Sequence, residues 1–144
     1  MALATNIVIA DGQATPVNHT LVPTGRDRDG VLRYLESTTG PVLGAWQAGI
    51  SLKKPAPAKA LQNTSNRLET VKVSIRIPTL ETMANNSAGY TPAPMVSHYR
   101  EIVADFKRNE RASEIENKTA RLAIIGLLQS ADFINAWDKG ILNQ

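Results

Sequence analysis

The stretch LETVKVSIRI, residues 68–77, decides the fold class. Val71, Val73, Ile75 and Ile77 alternate with Lys72, Ser74 and Arg76. This strict period of two belongs to a strand with one buried and one exposed face. The exposed face carries two cations with a hydroxyl between them. Pro78 is expected to end the strand. Upstream, residues 54–66 (KPAPAKALQNTSN) read as a polar, proline-containing loop. Before it come a longer strand over 43–53, a turn at Gly40-Pro41, short strands over 31–35 and 17–22, and an apolar run over 3–9. Asp11-Gly12 signals a hairpin turn, and RDRDG at 26–30 is turn chemistry. Downstream, residues 79–95 form a long loop holding Asn85, Asn86, Gly89, Tyr90, Pro92 and Pro94. Such a length inside a compact domain goes with function or an interface. Residues 97–106 return as a strand with Ile102, Ala104 and Phe106 on one face.

The pattern then changes period. Ser113-Glu114-Ile115-Glu116 fits a capping box, so a helix starts there, with Ile115, Leu122, Ile125 and Leu128 sharing a face. Gln129-Ser130 breaks it. A second short helix over 131–139 carries Phe133, Ile134 and Trp137, and Gly140 suits its stop. Residues 1–106 therefore read as β and 112–141 as α, within one domain spanning 1–144. Strands followed by helices, without alternation, give an α+β fold with an antiparallel sheet.

Composition bounds the function. The 144 residues are 42% hydrophobic and 20% charged, the balance of a globular chain. The absence of cysteine excludes disulfide frameworks, zinc ribbons, iron–sulfur clusters and cysteine catalysis. No apolar run approaches the ~18 residues of a spanning helix, so no membrane partner is expected. MALATNIVIA lacks a basic n-region and reads as a poor signal peptide. Residues 50–76 carry six cations against Glu69 alone, a net +5, while the rest of the chain is close to neutral. Two readings stand: a solvated basic loop, or a contact for a polyanion.

Catalytic signals are weak. His19 and His98 fall in different strands with no nucleophile spaced to meet them. No phosphate-cradling glycine motif occurs. Asp27, Asp29 and Gly30 form an incomplete calcium ladder and read as a turn. Glu110, Glu114 and Glu116 read as helix-start charges. Neither an enzyme nor a cofactor or metal is expected. Lys53, Lys72, Ser74 and Arg76, with Tyr99 beside them if 97–106 pairs with 68–77, combine phosphate-fixing cations, a hydroxyl and a stacking aromatic. That set suits unpaired RNA better than duplex DNA; the plainer reading is an ordinary solvent face.

The sheet also poses a covering problem. A helix covers a width of roughly 10 Å and strands lie roughly 4.8 Å apart, so two helices cover about four strands of six or seven. The remaining apolar face calls for a second copy, which predicts a homodimer with sheets joined at an edge.

The order IADGQATPVNHTLVPTGRDRDGVLRYLEST (9–38), GISLKK (49–54), VKVSIRIP (71–78), a proline-containing loop and two helices resembles the coat proteins of single-stranded RNA bacteriophages, the levivirus family. ATPVNHTLVP at 14–23 is the most specific piece, and the likeness runs from about residue 3 to residue 140. The resemblance implies an N-terminal β-hairpin, a five-stranded antiparallel sheet and two C-terminal helices. It implies an intertwined dimer with a ten-stranded sheet, in which residues 107–144 form the dimerisation segment through Ile115, Leu122, Ile125, Leu128, Phe133 and Trp137. Dimers would assemble in the bacterial host cytoplasm into an icosahedral shell, usually of T = 3 symmetry. The loop holding Asn85, Asn86, Gly89, Tyr90, Pro92 and Pro94 would make contacts between dimers. The inner face would bind the single-stranded RNA genome through Gln47, Ser51, Lys53, Lys72, Ser74, Arg76, Tyr99 and Glu101. An operator stem-loop, bound to repress replicase translation, and a phage maturation protein are further implied partners. Gly49 stands where many members have Thr, and Lys72 and Ser74 reverse the family's order. Glu101 falls where an Asn would help. Either the last strand slips by one residue or operator recognition differs. The alternative function is a dimeric RNA-binding regulator that does not assemble.

Overall fold

The computed structural model describes residues 4–38, 40–61, 63, 65–81, 84 and 87–141. Asn85 and Asn86 lie outside the described residues. Six strands run in sequence: β1 (Ile7–Ala10), β2 (Asn18–Arg26), β3 (Leu32–Glu36), β4 (Gln47–Lys53), β5 (Leu68–Leu80) and β6 (Val96–Asn109). They form one antiparallel meander in chain order. The expected hairpin and five-stranded sheet share β2, which pairs with β1 on one side and β3 on the other. Two helices follow, α1 (Glu114–Leu128) and α2 (Ala131–Lys139). The α+β class and the division into strands then helices stand as expected.

The chain divides into two compact units, Met1–Lys54 with Glu69–Lys107, and Pro55–Leu68 with Arg108–Gln144. In the first, the buried hydrophobic residues are Leu21, Tyr34 and Ala45. On β5, Val71, Val73, Ile75 and Ile77 are only half-buried, while Lys72 and Arg76 are exposed. The apolar side of the strand is thus identified correctly and left partly open.

Several boundaries differ from expectation, among them the strand expected over 17–22, which runs on through Pro23 and Gly25 to Arg26. The strand expected over 43–53 starts at Gln47, because Pro41 leads into a 3-10 turn at Val42–Gly44, closed by the Gly44 N–H to the Pro41 carbonyl at 2.9 Å. β5 continues through Pro78 to Leu80. The β4 partner ends at Gln47↔Arg76, so Pro78 lies beyond the β4 ladder. β6 outruns the expected 97–106 by three residues, closed by the Glu110 N–H to the Arg67 carbonyl at 3.1 Å. The β1–β2 connection is a longer loop rather than a tight Asp-Gly turn. The Asp11 carboxylate organises it, accepting the Val17 N–H at 3.0 Å and the Gln13 N–H at 3.3 Å. In β2 a bulge between Pro23 and Gly25 shifts the register against β3, and Gly25 takes φ 123°, open to it for want of a Cβ.

The second unit is pinned by Arg67. Its guanidinium meets Glu110 at 2.5 Å and the Ala56 carbonyl at 2.5 Å, and Asn109 donates to the Ser65 carbonyl at 2.5 Å. The capping box is present: the Ser113 hydroxyl accepts the Glu116 N–H at 3.2 Å, and the Glu116 carboxylate accepts the Ser113 N–H at 2.7 Å. The Ser113 N–H and the Ser113 hydroxyl, which donates to the same carboxylate at 2.8 Å, hold the Glu116 carboxyl below its usual range. Ser130 ends one helix and caps the next by accepting the Phe133 N–H, and Gly140 closes α2 in the left-handed conformation at φ 66°. Neither helix has a buried residue.

Candidate nucleic-acid interface

The site is built by the antiparallel register of β3, β4 and β5. Gln47 lies opposite Arg76, Gly49 opposite Ser74, Ser51 opposite Lys72, and Lys53 opposite Thr70. Opposed residues on neighbouring strands share a face. Gln47, Ser51, Lys53, Lys72, Ser74 and Arg76 therefore form one polar surface, as their alternation indicates. Ala48, Ile50 and Leu52 meet Ile75, Val73 and Val71 on the other side.

Register adds a residue that the sequence reading missed. Arg33 pairs with Gly49, so it stands on the same face one strand further out. Its alternation with Leu32 and Tyr34 was the available signal; the neighbouring RDRDG turn masked it. Asp27 holds the Arg33 guanidinium at 2.8 Å, and the Asp27 carboxyl also accepts the Asp29 and Val31 N–H groups at 3.0 and 2.9 Å. Its pKa falls below the usual carboxylate range, chiefly through the Val31 N–H and then through Arg33. The Asp27–Gly30 run is thus a turn that also orients a cation.

Gly49 is buried at the centre of this row. A Cβ there would lie 3.0 Å from the Ser74 hydroxyl, 3.2 Å from Val31 and 3.6 Å from the Arg33 guanidinium. The hydroxyl missing at 49 is replaced in space by that of Ser74, and a larger side chain would displace it.

β6 neighbours β5, and the Arg76 guanidinium lies 3.9 Å from the Tyr99 ring centroid. Glu101, two residues on, shares that face and lines a groove of about 310 Å³ together with Arg33, Gln47, Ser74 and Arg76. Tyr99, against Arg76, and Glu101, in the groove, both look onto the polar face. Arg76 covers one side of the Tyr99 ring.

Not all of the basic excess in 50–76 serves this face. Arg67 is 10% exposed and tied to Glu110, and Lys54 sits 4.0 Å from the buried Glu69. Position, not net charge, selects Lys53, Lys72 and Arg76. The two histidines part company. His98 is exposed near Ser97. His19 stacks on Trp46 with ring centroids 4.0 Å apart, between Glu36 at 2.5 Å and Asp11 at 3.4 Å. The Glu36 hydrogen bond raises its pKa most, against partial desolvation and with help from Asp11. No nucleophile belongs to that cluster, and the described residues hold no group of three or more side chains able to bind a metal.

The loop after β5 closes with the Glu81 N–H bonded to the Met95 carbonyl at 2.8 Å; Gly89 is left-handed at φ 76° and Tyr90 is exposed. On the helices, Ile115, Leu122, Ile125, Leu128 and Trp137 are exposed, and Phe133 stacks with Trp137 at 6.1 Å.

The family profile described as levivirus coat protein matches residues 2–137. Among solved structures, the chain is similar to the virus-like particle of bacteriophage ESE058, with 34% identity over 99% of this chain and 100% of that one and a TM-score of 0.88. It is similar to the virus-like particle of bacteriophage NT-214, with 22% identity, 99% and 100% coverage and a TM-score of 0.79. The bacteriophage GA protein capsid shares the fold at 16% identity, with 94% and 93% coverage and a TM-score of 0.66. The comparison with curated proteins finds no match.

Proposed function

The chain belongs to the levivirus coat-protein family, a structural and non-enzymatic component of the virion, and from that premise we propose that it dimerises, builds an icosahedral shell and packages single-stranded RNA against the β3–β5 face. The observation that carries the RNA reading is the alignment of Gln47, Ser51 and Lys53 with Arg76, Lys72 and Thr70, with Arg33 added alongside. Cations on one face fix phosphates, and the hydroxyls between them reach sugar or base edges. Binding of an operator stem-loop, with repression of replicase translation, belongs to the same reading.

Support for self-association comes from the uncovered apolar side chains. Ile115, Leu122, Ile125, Leu127, Leu128, Ile134 and Trp137 are all exposed on the two helices. Full burial of such a side chain is worth about 1.5–3 kcal/mol. The seven are only 41–77% exposed, so covering what remains is worth about 6–12 kcal/mol, comparable to the net stability of a domain. A second copy is the occupant that the family suggests, and the likeness to virus-like particles supports the shell.

The test of the RNA reading is the double variant Lys72→Glu/Arg76→Glu. Particles should form with less nucleic acid, and the salt slope of RNA binding should fall by about 1 per residue changed. Lys72 is exposed and Arg76 gives up its contact with the Tyr99 ring, so stability should fall by no more than about 1 kcal/mol. Unchanged RNA content would remove this face from the contact. Loss of folding would mean that the strand faces are inverted.

A further inference from the structure

Glu101 is an anomaly on a face meant for phosphates. It lines the groove between β3 and β6, yet it makes no hydrogen bond or ion pair among the described residues. The guanidinium groups beside it are engaged elsewhere: Arg33 by Asp27 at 2.8 Å, and Arg76 by the ring of Tyr99 at 3.9 Å. Its carboxylate is therefore left open among fixed donors, in a groove of about 310 Å³. That is the small end of ligand cavities, with room for one nucleobase. A carboxylate in such a place repels a phosphate backbone, so its use must lie with a base edge.

We infer that this groove reads an unpaired guanine, with Glu101 accepting from the base's N1–H and N2–H and with Arg33, Arg76, Gln47 or Ser74 donating to its O6 and N7. The inference rests on the RNA-packaging reading above and gives that site a base preference. A carboxylate offers two adjacent acceptors and no donor. Guanine alone presents two adjacent donors on its Watson–Crick edge. Adenine and cytosine set a lone-pair nitrogen beside their amino group, which a carboxylate repels. Uracil has one N–H between two carbonyls. The far side of guanine is an acceptor pair suited to guanidinium and amide donors. The Asp27 and Tyr99 contacts hold two of those donors in place before any base arrives, and that preorganisation limits the ordering cost of binding.

The test is fluorescence anisotropy with the full chain, at concentrations too low for shell assembly, using short uridine oligomers. The oligomers carry a single central guanosine, adenosine, cytidine or inosine, or none. The guanosine oligomer should bind about 10-fold or more tighter than the adenosine one, the range a bidentate base contact supports. Inosine, which lacks the N2 amino group, should fall between them. Glu101→Gln should erase the preference while leaving affinity for the all-uridine oligomer equal or higher, since a like charge is removed. Equal affinities for guanosine and adenosine, or a preference that survives Glu101→Gln, would overturn the inference. In either case retained, salt-sensitive binding of all-uridine RNA would leave the packaging reading intact. Failure of every oligomer to bind would overturn both.

Discussion

Gly49 and Ser74 show how single side chains set the chemistry of the β4–β5 face. A Thr at 49 would bring its Cβ to 3.0 Å from the Ser74 hydroxyl and 3.2 Å from Val31, closer than packed atoms sit. Gly49→Thr should destabilise the chain by about 1–3 kcal/mol, the range of overpacking. Ser74→Gly should recover part of that loss, because the nearest obstructing atom is then gone; a double-mutant cycle by chemical denaturation reads the coupling. Purely additive losses would mean that the two positions do not compete for space.

His19 gives a second residue-level prediction, this one in pH. Its pKa is raised in the folded state, so its contribution is fully present below the ordinary value of 6.5 and is lost as pH rises through the higher folded value. Asp11 runs the other way. Its pKa is lowered, first by the Val17 N–H, so its contribution holds above 3.8 and is lost as pH falls through its lower folded value. Stability of the β1–β2 hairpin and its Trp46 stack should therefore be greatest between about pH 4 and 6.5 and decline on the alkaline side. His19→Gln should flatten that alkaline decline, read from thermal midpoints across pH. An unchanged slope in the variant would dissociate His19 from it.

Elements were legible where one local rule governed them. The alternation over 68–77 gave β5 and its two faces, and Ser113-Glu114-Ile115-Glu116 gave the first residue of α1 because a capping box is satisfied within four residues. Elements blurred where partners outside the segment decided. Pro78 lies within β5 because β4 stops short of it, which no reading of 68–80 alone contains. Val42–Gly44 looks like strand by composition, but the preceding Pro41 and the Gly44 backbone, packed against Leu80, fold it into a turn. The site divided in the same way. Lys72, Ser74 and Arg76 followed from period alone. Arg33 and the pairing of Tyr99 with Arg76 needed the register of three further strands. The capping box makes its own prediction: Ser113→Ala should cost about 1 kcal/mol, and Ser113→Gly only a few tenths. Equal losses for the two would assign Ser113 some role other than capping.

For the whole molecule, the two helices hold no fully buried residue and leave a row of apolar side chains exposed. If the helical segment is completed by a second copy, thermal stability should rise with protein concentration, as mass action requires when folding and association are linked. Ile125→Glu, in the exposed row of α1, should abolish the dimer on sedimentation and with it the cooperative transition. A fully folded, monomeric Ile125→Glu variant would assign that row to some other contact. Deleting residues 82–93 should leave dimers that fold and bind RNA but do not close a shell. Particles of unchanged size would remove that loop from assembly.

The most direct test of the central claim is negative-stain electron microscopy of the purified full-length protein, with the ratio of nucleic-acid to protein absorbance read on the same fraction. Uniform closed spheres with a high ratio are the predicted result. A clean dimer with no particles, across a range of salts and with RNA added, would contradict it and leave a dimeric RNA-binding regulator in its place.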